Sequence, residues 1–207
     1  ALHFASKGYD VTALDISPKH INIMKEKSKE KGIMMDIRLG DALELQGIND
    51  DTYDLVLCLG PIYHFVKEQD RKKVLEEAFR VLKKDGILAT AYINRYATFV
   101  NYINRKKDNV SDEGLNNIAK IGLEFGDERD CFYYSTYHEI EELFSRFKMK
   151  KINHISSDGL GGILRDRINE FSDVEFQEWM EYHLMTCQDE SLIGYSQHGL
   201  YICKKAY

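Results

Sequence analysis

The segment YDLVLCLG, residues 53–60, places the strongest constraint on what this chain can fold into. Its apolar residues follow one another instead of alternating with polar ones, which is typical of a strand buried on both faces of a parallel sheet. Strand patterns alternate with helical patterns before and after it, and 43% of the 207 residues are hydrophobic. The alternation predicts an α/β fold, namely a doubly wound, Rossmann-like, mostly parallel sheet with helices on both faces.

Two stretches are longer than ordinary connections between strands and helices. Residues 94–134 and 160–187 are helical in part, and we expect them to form helical cap or lid insertions on a single domain spanning residues 1–207. Capping boxes at Thr136–Glu139 and Ser172–Glu175 predict where two helices begin. The second helix carries an apolar stripe that includes Trp179, which predicts a buried face.

Charge and cysteine content narrow the classes of partner. The formal net charge is −6 without a block dense in Lys and Arg, so duplex nucleic acid is a poor candidate partner. The four cysteines are scattered and show no metal-ligand spacing, which predicts reduced thiols in a cytoplasmic protein and no metal. No run of about 18 apolar residues exists, so no membrane span is expected. The oligomeric state stays open.

Two acidic residues follow successive predicted strands, at the sheet edge where doubly wound folds bind ligands. Asp15 ends the strand in VTALDIS, where a carboxylate accepts both hydroxyls of a ribose or caps the next helix. Asp41 follows the next strand in LGDALEL. It accepts the exocyclic amine of an adenine while the Ala42 amide donates to a ring nitrogen, or it is an ordinary turn residue.

A third feature follows the most apolar strand, in LCLGPIYHF. Gly60 would let the backbone approach a ligand closely, and Tyr63 and His64 would face the cleft. The other interpretation is packing and turn geometry.

Four stretches together resemble class I S-adenosylmethionine-dependent methyltransferases: VTALDIS, IRLGDALEL, YDLVLCLGPIYHF and LEEAFRVLKKDGILATAY. The resemblance covers residues 1–93 and is strongest to the small-molecule branch related to quinone- and metabolite-modifying enzymes. It implies S-adenosylmethionine as the cofactor and a small molecule as the methyl acceptor. It also implies a set of cofactor contacts: Asp15 to the ribose, Ile16 on one adenine face, Asp41 and Ala42 at the adenine edge, Leu59 and Gly60 beside the methionine moiety.

One part of the family pattern does not occur in the sequence. The family holds the methionine end of its cofactor with a glycine-rich loop after its first strand, and this loop would lie upstream of Ala1. The first strand would lie between the strands that end at Asp15 and Leu59, where its loss would leave buried backbone groups unpaired. We therefore expect a native protein longer than this sequence. The alternative is a fragment completed by another chain.

Catalytic roles follow from the chemistry of methyl transfer. Displacement at a sulfonium mainly needs donor and acceptor held in line, and a base acts only where the acceptor must lose a proton. His64 is the candidate base, with a packed or helix-capping histidine as the alternative, and Tyr63 is a candidate for shaping the acceptor pocket. Arg95 either meets an anionic acceptor or is a surface charge. His154 and His183 are predicted to be core residues.

Other functions stay open. Gly60 stands where the Asn/Asp-Pro-Pro-Tyr motif of amino-directed nucleic-acid methyltransferases has its amide or acid, so GPIY does not carry that function. A nicotinamide-dependent dehydrogenase would also suit Asp15, but no hydride-transfer residue set is visible. A catalytically inactive methyltransferase-like binding or scaffold module is the third possibility. The sequence does not name the acceptor or the atom that is methylated.

Overall fold

A computed structural model describes residues 1–206 of the chain. The chain divides into two compact units, residues 1–49 and the residues from Asp50 onward. The predicted fold class is confirmed: helices connect the strands, and the parallel strand pairs outnumber the antiparallel ones three to two among the described residues. The expectation of a single domain with two cap insertions stays a prediction.

The first unit is built on a parallel strand pair. Its elements are α1 (Leu2–Ala5), β1 (Thr12–Asp15), α2 (Pro18–Glu30) and β2 (Asp36–Leu39). Ser17 caps α2 by accepting a hydrogen bond from the His20 amide, and Pro18 occupies the first helical position. In the β1–β2 ladder Asp15 lies opposite Leu39, so both strands end at the same edge.

The second unit holds the larger sheet and most of the core. Its strands are β3 (Tyr53–Cys58), β4 (Leu82–Asn94), β5 (Tyr134–Ser135), β6 (Met149–Ser156) and β7 (His198–Lys205). Their order is β3-β4-β7-β6, with β5 paired to β4. β7 runs antiparallel to both β4 and β6, so β3, β4 and β6 point the same way.

The helices of the second unit lie between these strands. They are α3 (Pro61–His64), α4 (Glu68–Val81), α5 (Arg95–Arg105), α6 (Glu113–Ile121), α7 (Tyr137–Ser145), α8 (Arg165–Ile168), α9 (Asp173–Thr186) and α10 (Glu190–Ile193). Both predicted capping boxes are present, at the starts of α7 and α9. Among residues 1–206 no helix has the length and apolarity that crossing a membrane requires.

The burial predicted for β3 is wrong. Only Cys58 is buried, while Leu55 and Leu57 are each 40% exposed. These two leucines point to the same face because strand side chains alternate. β3 also ends the strand order and pairs with β4 alone within its sheet. An apolar run shows that a strand can be buried, but neighbouring elements decide whether it is.

No loop separates α4 from β4. The segment KKDG, residues 83–86, lies inside the strand, because α4 ends at Val81 and β4 begins at Leu82. The ladder with β3 shifts register here, and Asp85 takes a positive φ of 64°. The segment is therefore an irregular start of the strand.

Candidate functional site

The first unit places the two predicted acids at one edge. The Gly40 amide donates a 3.1 Å hydrogen bond to the carbonyl oxygen of Asp15, which continues the β1–β2 ladder beyond Leu39. The turn that begins at Asp41 therefore starts beside the end of β1. This adjacency follows from the parallel pairing that the sequence predicted.

Both acids also hold their own turns. The Asp15 Oδ1 accepts from the Ser17 amide at 2.8 Å, and its Oδ2 lies 3.2 Å from the His20 Nδ1. The Asp41 Oδ1 accepts from the Leu43 amide at 2.9 Å. Asp15 thus holds the turn that leads into α2, while the helix cap itself is Ser17, and the Asp15 side chain remains 34% exposed. Next to it, the apolar side chain of Ile16 is 68% exposed.

In the second unit the end of β3 leads into a one-turn helix. Leu59 is 52% exposed, and its carbonyl oxygen accepts a 3.1 Å hydrogen bond from the Tyr63 hydroxyl. A Cβ added to Gly60 would meet only the Tyr63 hydroxyl, at 3.8 Å. The space beside Gly60 is therefore open. Burial raises the pKa of Tyr63, so its hydroxyl stays protonated at neutral pH and acts as the donor.

An aromatic cluster surrounds the Tyr63–His64 turn. The His64 ring centroid lies 4.9 Å from that of Tyr63 and 4.8 Å from that of Phe132, and Phe132 continues to Tyr134 at 6.3 Å. The Tyr133 amide donates to the Tyr63 carbonyl oxygen at 2.8 Å, which joins the two segments. His64 is exposed, and no hydrogen bond to its ring is found within residues 1–206. Residues 94–134 contain several aromatic residues, but nothing in the sequence indicates that Phe132 contacts His64.

Two buried arginines hold this aromatic segment in place. Arg95 donates to both carboxylate oxygens of Glu139, at 2.7 and 2.9 Å, and to the Tyr134 carbonyl oxygen at 3.1 Å. Arg71 lies 3.7 Å from the centre of the Tyr133 ring and donates to the Phe65 carbonyl oxygen at 2.9 Å. Arg95 is buried, so its prediction as a surface charge is wrong, and its guanidinium already pairs with Glu139, which leaves less of it for an anionic acceptor.

The remaining histidines differ in their surroundings. His154 is buried, as predicted. His183 is only partly buried and lines a pocket beside Trp179, so its predicted core position is wrong. Within residues 1–206 no cluster of three His, Cys, Asp or Glu side chains is arranged to hold a metal ion.

The first part of the chain is similar in sequence to known methyltransferases. Residues 1–90 match the family profile described as a methyltransferase domain. The uncharacterized methyltransferase YbaJ of Bacillus subtilis is 32% identical over 90 residues, which are 44% of this chain and 34% of that protein. A glycine/sarcosine N-methyltransferase of Parasynechococcus marenigrum is 30% identical over 95 residues, 45% of this chain and 34% of that protein. The matched region thus spans about a third of these relatives, at 34% of each.

A solved structure matches nearly the whole chain. The S-adenosylmethionine-dependent methyltransferase of Methanosarcina mazei superposes with a TM-score of 0.63 over 99% of this chain and 86% of that one, at 16% sequence identity. At this identity the match concerns the fold. Residues 1–90 are therefore similar to the methyltransferase domain family, and the chain has the fold of the class I S-adenosylmethionine-dependent methyltransferases.

Proposed function

We propose that the protein transfers a methyl group from S-adenosylmethionine to a small-molecule acceptor. The observation that carries this proposal is the family match over residues 1–90, which contains both acid turns and the turn after β3. No comparison favours a nicotinamide-dependent dehydrogenase or a catalytically inactive module. We also propose a cytoplasmic location, which the four unpaired cysteine thiols support.

The first unit is proposed to bind the adenosine part of the cofactor. Asp15 accepts the ribose hydroxyls, Ile16 covers one adenine face, and Asp41 and Ala42 contact the adenine edge. A carboxylate has about four acceptor positions, so the bond from the Ser17 amide leaves room for ribose. The exposed Ile16 side chain supports the assignment because a planar base would remove it from water.

The turn after β3 in the second unit is proposed to serve the methionine part and the acceptor. Leu59 and the open space at Gly60 admit the methionine chain close to the backbone. Tyr63 and His64, together with Phe132, line the acceptor pocket. Their main task is to orient the acceptor and exclude water around the sulfonium. His64 acts as a base for acceptors that must lose a proton, since its ring is exposed and free to accept one.

The test is a calorimetric titration with S-adenosylhomocysteine of the wild type and Asp15→Asn. The asparagine keeps an oxygen for the Ser17 amide but supplies one acceptor oxygen instead of two. We expect binding to weaken by about 10- to 100-fold, the effect of losing a hydrogen bond to a charged group. The matched control is Asp36→Asn, because Asp36 begins β2 at the opposite edge and pairs with Arg38 at 2.7 Å.

The possible outcomes separate the parts of the proposal. A folded wild type that does not bind S-adenosylhomocysteine would contradict the proposed function. Binding that Asp15→Asn leaves unchanged would contradict the ribose assignment and leave the turn bond to the Ser17 amide as the role of Asp15. Equal losses in Asp15→Asn and Asp36→Asn would point to general destabilisation, which circular dichroism would detect.

A further inference from the structure

The apolar stripe of α9 faces a pocket instead of a core. Phe176, Trp179, Met180 and His183 recur at helical spacing, yet α9 contains no buried residue. All four side chains line a pocket of about 250 Å³. A stripe of large side chains that line an open cavity is typical of a ligand site, because a bound molecule supplies the missing apolar contact.

Two polar side chains that line this pocket have no partner among residues 1–206. Arg165 lines it, and among residues 1–206 no carboxylate lies within 4.0 Å of its guanidinium. Its neighbour Arg167, on the same short helix, pairs with Glu170 at 2.8 Å. The Asn169 side chain also lines the pocket, and no hydrogen bond to it is found in the described part of the chain.

Among residues 1–206, the one carboxylate that lines the pocket already has hydrogen-bond partners. Asp158 accepts from the His198 amide at 2.9 Å and from the Ser196 hydroxyl, and its Oδ2 lies 3.3 Å from the His198 Nδ1. Burial alone would raise the pKa of Asp158, but the hydrogen bonds from His198 and Ser196 hold it below its usual value. Asp158 is therefore ionised and paired, whereas the Arg165 guanidinium has no ion-pair partner among residues 1–206.

The aromatic wall is fixed from both sides. Trp179 contacts Tyr182 and Phe171, with ring centroids 5.5 and 6.4 Å apart. Gly159 has a φ of 52°, and a Cβ there would come within 2.7 Å of the His183 Nδ1. The glycine thus lets the imidazole pack directly on the backbone, which positions the ring as part of the wall.

We propose that this pocket binds a small carboxylate with an aromatic or branched apolar body. The body packs on Trp179 and Phe176, and the carboxylate pairs with Arg165, whose planar guanidinium suits it. The pocket follows β6, which lies three strand spacings from β3, or roughly 14 Å at about 4.8 Å per spacing. The site therefore goes beyond the proposed methyl-transfer function and has a ligand of its own.

Trp179 gives a direct readout because it is the only tryptophan in the sequence. We would titrate the full chain with phenylacetate, phenylacetamide and phenethylamine and follow tryptophan fluorescence. Phenylacetate should give a saturable change with a dissociation constant of about 1 mM or lower, the range open to a ligand of this size. The amide and the amine should bind at least about 10-fold more weakly because neither pairs with a guanidinium. The absence of a saturable change, or equal or tighter binding of either neutral or cationic probe, would overturn the proposal.

The matched variants are Arg165→Gln and Arg167→Gln. The first should weaken phenylacetate binding by about 10-fold or more through loss of the charged pair, and the second should change it by less than about twofold. Equal binding by Arg165→Gln would overturn the assignment. Titration with S-adenosylhomocysteine should be the same in both variants, so failure here and failure of the proposed function are distinguishable. Circular dichroism confirms that both variants are folded.

Discussion

Helices α7 and α9 begin with the same capping motif, but the apolar face of α7 is buried and that of α9 is not. Each starts with a complete capping box, Thr136 with Glu139 and Ser172 with Glu175. Each carries large apolar side chains at helical spacing. Nevertheless α7 buries three of them, whereas α9 buries none.

The difference lies in what each helix packs against. On α7, Phe144 is fully buried and stacks on Tyr201 of β7, with ring centroids 4.1 Å apart. Tyr137 stacks in the same way on His154 of β6, at 4.4 Å. The stripe of α9 faces the pocket instead. A capping box therefore fixes where a helix begins, but a packed partner decides whether its apolar stripe becomes core.

The largest expected effect contrasts Phe144→Ala with Phe176→Ala. Truncating Phe144 removes a fully buried ring and leaves a cavity, so we expect the free energy of unfolding to fall by about 3–5 kcal/mol. Phe176 is 46% exposed, and its truncation should cost less than about 1 kcal/mol. Urea unfolding measures both, and equal losses would show that α9 is packed as tightly as α7.

The next effect contrasts the acids of the two capping boxes. Glu139→Ala removes its box and leaves the buried Arg95 without its counter-charge. Breaking a buried pair costs about 3–5 kcal/mol, which the 37% exposure of Glu139 reduces to about 2 kcal/mol.

Glu175→Ala disturbs only the start of an exposed helix, so we expect a clearly smaller loss. Thermal and urea unfolding of both variants provide the measurement. A Glu175→Ala loss as large as that of Glu139→Ala would mean that the boxes alone, and not Arg95, account for the effect.

The smallest expected effect is a pH dependence of the free energy of unfolding that arises from His154, which packs against Tyr137 of α7. In a neutral ring, the His154 Nδ1 donates to the Glu141 carboxylate at 2.8 Å and its Nε2 accepts from the Tyr92 hydroxyl at 2.9 Å. Burial lowers the pKa of His154 against the opposing effect of Glu141. As pH falls below the ordinary histidine value of about 6.5, the unfolded chain takes up a proton that folded His154 resists.

The free energy of unfolding should therefore decrease between about pH 7 and about pH 5.5. His154→Gln removes this group while all other titrating groups remain. The wild-type curve should consequently lose more stability than the variant over this interval. Parallel curves would mean that His154 titrates equally in the folded and unfolded chain.

Much of the candidate site followed from local patterns. A parallel pair of strands that both end in turns must bring those turns to one edge, so the adjacency of Asp15 and the turn at Asp41 was predictable. The contact of Phe132 with His64 was not predictable, because these residues are distant in sequence.

The burial of Arg71 and Arg95 was not predictable either, since an arginine beside an apolar stripe usually extends into water. Their burial depends on Tyr133 and Glu139, which belong to other segments.

The sequence by itself determined the α/β class, the two capping boxes and the strand ends at which the acids lie. These features depend on hydrogen bonds and side-chain periodicity within a few residues, which each segment carries with it. Only the tertiary structure decided that Leu55 and Leu57 stay exposed, that Arg95 forms an ion pair with Glu139, and that the apolar stripe with Trp179 lines a pocket. Burial is a property of two surfaces in contact, and one segment of sequence encodes only one of them.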